Sequence, residues 1–192
     1  MLARVISSSV QGIDAVPVEV EVDLVFGLPN FATVGLPEGA VRESKDRVRA
    51  AIKNSGYEFP NKRITVNLAP ADIKKSGTGF DLPMAIGILS AAEICSGQYL
   101  DQYCLIGELS LDGRLRPVQG ILPMMIAARQ QGLKGAVVPE ANAREAAVVR
   151  DLDIIAVDHL HQAVDFLADD TTIPPTAAQP VDESEDNDDY GY

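Results

Sequence analysis

Alternating valines near the N-terminus, two segments with helical spacing and a second half that switches between short strands and helices predict an α+β domain. Val16, Val18, Val20, Val22 and Leu24 alternate with Pro17, Glu19, Glu21, Asp23 and Val25, the period-2 signature of a strand with one wet face. Residues 2 to 10 read as its partner, with Gln11-Gly-Ile-Asp14 as the hairpin turn. Pro17 has no N–H to give to a ladder, so the start of the second strand is expected at an edge or a bulge.

Phe31 to Val34 reads as a short third strand, and Gly35-Leu-Pro37 leads into a helix over 37–54. Pro37 in its first turn, Glu38 near its positive end, Lys53 near its negative end and Gly56 beyond it are the expected terminus signals. Arg42, Lys45, Arg49 and Lys53 recur at three- and four-residue steps and form one stripe beside the apolar side. A strand follows over 63–68. Next comes an apolar helix over 82–94, with Asp81 as its cap and Pro83 in its first turn. Residues 103–109 and 114–118 flank Leu111-Asp-Gly113 as a hairpin. Helices over 120–131, 139–149 and 159–167 then alternate with strands over 135–138 and 153–157, Pro139-Glu-Ala-Asn142 capping the middle helix.

The 192 residues, 46% of them hydrophobic, suffice for one substantial core, placed over 1–168. From Asp169 onward eight acids, no Lys or Arg and several prolines predict a disordered acidic linker over 169–192. This tail carries most of the net charge of −12, and the first 168 residues carry only −4. Between Arg42 and Lys75 nine basic residues outnumber four acids, which predicts a positive face. The longest apolar runs are interrupted and too short to span a membrane, and no signal peptide is visible, so a cytoplasmic protein is expected. Cys95 and Cys104 read as reduced core thiols, and His159 and His161 as surface groups; no zinc site is expected from so few soft ligands.

The stretch from Asn67 to Ala91 decides between functional readings. A strand, the loop Lys74-Lys-Ser-Gly-Thr-Gly79 and an apolar helix can make a phosphate cradle or a nucleophile site. The chain has no Gly-Lys dipeptide and no G-x-G-x-x-G, which excludes a nucleotide P-loop and a dinucleotide fingerprint.

The loop, the helix Met84-Ala-Ile-Gly-Ile-Leu-Ser-Ala-Ala, the run Ile106-Gly-Glu-Leu-Ser-Leu-Asp-Gly-Arg-Leu-Arg-Pro-Val-Gln-Gly120 and Gly135-Ala-Val-Val-Pro resemble the proteolytic domain of the Lon family. That resemblance implies a serine nucleophile in the loop and a lysine base on the helix after the hairpin. In its register these positions fall on Gly79 and Met124, which cannot do the chemistry. Ser76 or Thr78 could stand in for the nucleophile, but from Gly120 to Arg129 there is no Lys, His, Asp or Glu to serve as its base.

From Met1 to about residue 168 the chain is identified as a member of the magnesium-chelatase-like AAA+ family, the ComM and YifB group. The motifs are Gly27-Leu-Pro-Asn-Phe-Ala-Thr-Val-Gly-Leu-Pro37, Glu43-Ser-Lys-Asp-Arg-Val-Arg-Ala-Ala-Ile52, Asn67-Leu-Ala-Pro-Ala-Asp72 and Gly77-Thr-Gly-Phe-Asp-Leu-Pro-Met-Ala85. The resemblance implies a Lon-like, ribosomal protein S5 domain 2-like fold, related also to the Lon-like domain of RadA. It further implies a following AAA+ module that binds ATP and Mg, with no cofactor in this chain, and a hexameric DNA translocase or helicase of natural transformation. Arg42, Arg49, Lys53, Arg63, Lys74 and Lys75 are the expected DNA-facing residues. Single-stranded DNA is the expected ligand, bound weakly and salt-sensitively by the isolated domain. A protein-partner adaptor domain and a relic serine hydrolase are the alternatives.

Overall fold

Residues 1–179 are the part of the chain that this computed structural model describes. β1 (Leu2–Gln11) pairs antiparallel over its whole length with β2 (Asp14–Val25), from Leu2 opposite Asp23 to Gln11 opposite Asp14. Gly12 turns the hairpin at φ 65°, a conformation costly for other residues. β3 (Asn30–Val34) is parallel to β4 (Arg63–Ala69), and β4 is antiparallel to β2 from Glu19 onward. Residues 14–18 of β2 therefore have a strand on one side only, and Pro17 sits there as the sequence predicts.

The helical segment between β3 and β4 is divided at Glu43 into α1 (Gly39–Arg42) and α2 (Ser44–Asn54), where a single helix over 37–54 was expected. Ser44, fully buried at the joint, accepts a hydrogen bond from Arg47. α3 (Asp81–Ala91) is nearly all buried, and its C-terminal end closes on Glu93 at φ 61°, three residues after the Ser90 carbonyl that accepts from the Glu93 N–H. β5 (Tyr103–Leu105), β6 (Glu108–Leu109) and β7 (Leu115–Arg116) replace the longer hairpin expected from 103 to 118. The chain leaves the main sheet at Gly107, where a Cβ would lie 2.3 Å from Leu115 and 3.4 Å from Leu82. Only β6 and β7 then pair with each other.

α4 (Ile121–Gln130), β8 (Gly135–Pro139), a 3-10 turn over Glu140–Asn142, α5 (Ala143–Ala146), β9 (Asp153–Val157) and α6 (Leu160–Leu167) complete the described order. The seven-stranded mixed sheet runs β3-β4-β2-β1-β5-β8-β9, with β1, β5, β8 and β9 parallel. This is a mixed α+β domain. One core joins α2, α3 and α6 to the sheet through Val20, Val22, Val48, Ile52, Ile86 and Val164. A second, built from Cys104, Ile121, Met125, Ala136, Val138 and Ile154, holds α4 and α5.

Gly87 fixes how closely α3 approaches β2. A Cβ there would lie 2.6 Å from Val22 Cγ2 and 3.5 Å from Val5. Gly87→Ala gains helix propensity, but the overpacking against a β-branched neighbour outweighs it, and a net loss of about 1–2 kcal/mol is expected from urea unfolding.

Residues 169–179, expected to begin a disordered linker, lie against the body. The Thr176 N–H donates to the Ile154 carbonyl at 2.8 Å, and Ile173 packs on the first core. An apolar residue and a free backbone donor beside β9 supply this docking, which a composition average over the whole tail conceals. The rest of the expected linker, 180–192, lies outside the described residues.

Candidate functional site

The loop before α3 enters a cavity of about 600 Å³ lined among others by Ser8, Ser76, Thr78, Gly79, Glu108 and Met124. Gly79 and Met124, 45 residues apart in sequence, both line it. A Cβ on Gly79 would meet Ile106 at 3.2 Å and Val118 at 3.5 Å. Ser76 and Thr78 also reach the cavity, and Glu108 is the one ionisable side chain among its lining residues.

Three polar anchors hold this cleft. The Gly107 N–H donates to the Gly79 carbonyl at 3.0 Å, and the Leu82 N–H returns to the Gly107 carbonyl at 3.0 Å. Beneath them, fully buried Asp81 accepts from Arg47 Nε at 2.7 Å, from Arg47 Nη2 at 3.1 Å and from the Leu109 N–H at 3.0 Å. Arg47 also donates to the Ala40 carbonyl, so the Arg47–Asp81 pair joins α1, α2, α3 and β6. Burial pushes the Asp81 carboxyl up from the usual carboxylate range, against the pull of Arg47. On the opposite wall the buried Asn142 amide pairs with Val118, donating to its carbonyl and accepting from its N–H, both at 3.0 Å.

Two expected caps are corrected by this geometry. Neither Asp81 nor Asn142 caps its helix through its side chain. Each is drawn instead to a nearer unpaired partner, the guanidinium for Asp81 and the Val118 backbone for Asn142. The sequence held a signal for the first: Ser44, Arg47, Val48 and Ala51 recur at helical steps, which places Arg47 toward the buried side of α2. Nothing in the sequence separates Asn142 from an ordinary cap.

The expected basic surface divides. Arg42, Arg49, Lys53, Arg63 and Lys74 are exposed. Lys75 is fully buried, with its ammonium donating to the carbonyls of Gly35, at 2.8 Å, and Pro70. Its backbone is tied as well, the Lys75 N–H to the Leu36 carbonyl and the Glu38 N–H to the Lys75 carbonyl. Desolvation lowers its pKa from the ordinary 10.5. Lys75 is therefore a structural pin and cannot face a ligand, a correction to the expected DNA-facing set. Its short period-1 pairing with Lys74 gave no hint of burial; the carbonyl cage that receives it comes from two distant segments.

Lys74 stands near the β1–β2 turn, where its carbonyl accepts from Gln11 Nε2. Arg63 opens β4 at the other end of the sheet, opposite Val25, eleven residues of β2 and about 35 Å along the strand from Asp14 at the turn. Arg49 and Lys53 lie on α2, with the Arg49 guanidinium 5.3 Å over the Phe59 ring, which stacks on Phe31. The structure thus does not gather Lys74 and Arg63 into one patch.

Cys95 and Cys104 are free and buried as expected, and burial raises both thiols, Cys104 to about 12. His159 and His161 bring their Nδ1 atoms within 2.6 Å of each other. Among the described residues no group of three His, Cys, Asp or Glu side chains is placed to hold a metal, and no helix is long and apolar enough to cross a membrane.

The sequence model of the family described as subunit ChlI of Mg-chelatase matches residues 20–142. Competence protein ComM of Haemophilus influenzae is 43% identical over 173 residues, covering 90% of this chain and 34% of that protein. YifB of Escherichia coli is 46% identical over 156 residues, 81% of this chain and 31% of that protein. Lon protease 2 of Bacillus subtilis is 27% identical over 165 residues, 81% of this chain and 28% of that protein. The chain spans about a third of the length of the ComM and YifB relatives it matches.

Proposed function

Because the chain belongs to the ChlI, ComM and YifB family, with Lon protease as a distant relative, we propose that it is a non-catalytic oligomerisation and DNA-interaction domain of a ComM-type AAA+ ATPase. On this reading residues 1–168 form an S5 domain 2-like, Lon-like unit, and the tail leads to an AAA+ module that binds ATP and Mg. The whole protein would be a cytoplasmic hexamer acting on DNA in natural transformation.

The observation that carries the non-catalytic part is the cleft itself. Gly79 and Met124, on which the dyad positions fall in the Lon-like sequence register, both line one cavity. Ser76 and Thr78 have no Lys or His beside them among the lining residues, and Lys75 is turned away into its carbonyl cage. A hydroxyl without a positioned base is a poor nucleophile at neutral pH. Support for the DNA part is the set of exposed cations Arg42 on α1, Arg49 and Lys53 one turn apart on α2, and Arg63.

Arg42→Glu, Arg49→Glu and Lys53→Glu combined in the full-length protein test it. Single-stranded DNA binding at low salt is expected to fall at least tenfold with oligomer size unchanged, since each lost phosphate contact removes part of the counterion-release term. Unchanged binding would reject these cations as the DNA surface and leave the adaptor reading in its place.

A further inference from the structure

The loop between β2 and β3 carries no acid and presents its apolar side chains outward. Phe26 is 91% exposed and Leu28 88% exposed. Gly27 between them takes φ 154°, where a side chain is strained, so the loop geometry is set by the backbone and not by burial of either residue. Lys62 Nζ lies 4.8 Å from the centroid of the Phe26 ring, and Arg63 is in register with Val25 and Asn30 at the root of the loop. Arg49, held over Phe59, is a further cation at this end of the helical layer. The nearby acids are Glu58, which is exposed, and Asp23, which is within 3.7 Å of the N-terminal amine.

We propose that Phe26, backed by Lys62 and Arg63, is a stacking platform for an unpaired base of single-stranded nucleic acid, with the two cations receiving the adjoining phosphates. This rests on the DNA-contact reading above and extends it from the cations of the α1–α2 segment and Arg63 to the β2–β3 loop. A solvent-exposed aromatic ring with cations beside it is what sequence-tolerant single-strand binding uses, because every base has a face to stack and every nucleotide a phosphate. A duplex offers no free base face along its length, so the arrangement favours single strands. Leu28 stands beside the ring as a second apolar contact.

The test measures binding of fluorescein-labelled oligo(dT) to the 192-residue chain by anisotropy across a salt series. Phe26→Ala is expected to weaken binding about tenfold and leave the salt slope unchanged, while Phe26→Trp retains or strengthens it. Lys62→Ala with Arg63→Ala is expected to flatten the log–log salt slope by about 1.4, two phosphate contacts at ~0.7 each. Thermal melts of each variant verify folding, which the exposure of Phe26 and Arg63 and the partial exposure of Lys62 should preserve. Parent-like binding by Phe26→Ala and by the double variant would overturn the platform while leaving the DNA reading intact. No oligo(dT) binding by the parent at the lowest salt would overturn both. Equal affinity for a duplex of the same length, or for an acidic peptide of residues 181–189, would also overturn the platform, because neither offers a base to stack.

Discussion

Charge reversal at Lys75 is expected to unfold the domain instead of weakening a binding surface. The ammonium sits in a cage of two carbonyls, Gly35 and Pro70, with no exposed surface. A glutamate there would bury a carboxylate against acceptor oxygens, with every neighbouring dipole of the wrong sign. The cost of an uncompensated buried charge is about 3–5 kcal/mol, a large part of the whole stability of a domain of this size. Lys75→Met removes the charge and leaves two carbonyls short of a donor, for about 1–3 kcal/mol. The two variants should therefore separate clearly in urea midpoint, glutamate far below methionine. The pH dependence has a definite sign. Burial lowers the folded pKa below the ordinary 10.5, so the unfolded chain holds the proton more tightly. Stability then rises with pH between the folded and unfolded values, and Lys75→Met should abolish that rise.

Removing Arg47 is expected to be nearly as damaging. Arg47→Ala leaves Asp81 buried with only the Ser44 hydroxyl and the Leu109 N–H as donors and cuts the tie from α2 to the Ala40 carbonyl. Breaking one side of a buried pair costs about 3–5 kcal/mol. Without the guanidinium, burial acts on the carboxyl against the Ser44 and Leu109 hydrogen bonds only, and its pKa, already raised, goes further up. The loss should therefore be larger at pH 7 than near pH 5, where Asp81 can accept a proton and enter the interior neutral. Replacing the pair together, Arg47→Met with Asp81→Leu, should recover part of the stability, since a buried ion pair is weak net support compared with apolar packing. Urea unfolding of the three proteins at both pH values measures all of this.

The strands were legible because they state their own burial. The alternation from Val16 to Leu24 carries the two-faced environment of β2, and the strand over Asp153–Val157 is found with the bounds the sequence predicts. The break at Gly107 was not legible, because residues 103–109 read as one strand of a hairpin. What divides them is Leu115 and Leu82 pressing on a position without a side chain. Long-range chemistry was hidden for the same reason. Lys75 belongs to a run of positive charge in sequence, and only the approach of Gly35 and Pro70 turns it inward. The cleft was half legible: register against a Lon-like pattern pointed to Gly79 and Met124, and the structure brings both to one cavity. The anchors that shape it, Arg47 with Asp81 and Asn142 with Val118, join segments that no local rule connects. Phe26, an isolated aromatic in a loop, carries no periodic signal; its exposure and the lysine above it mark it only in three dimensions.

The most direct test of the central claim, that this domain works by contact with DNA and not by hydrolysis, is a titration of the 192-residue chain against single-stranded DNA from low to moderate salt. The expected result is saturable binding that weakens steeply as salt rises, with a log–log slope of about −2 to −3 for three or four phosphate contacts. Absence of binding at the lowest salt would contradict the claim.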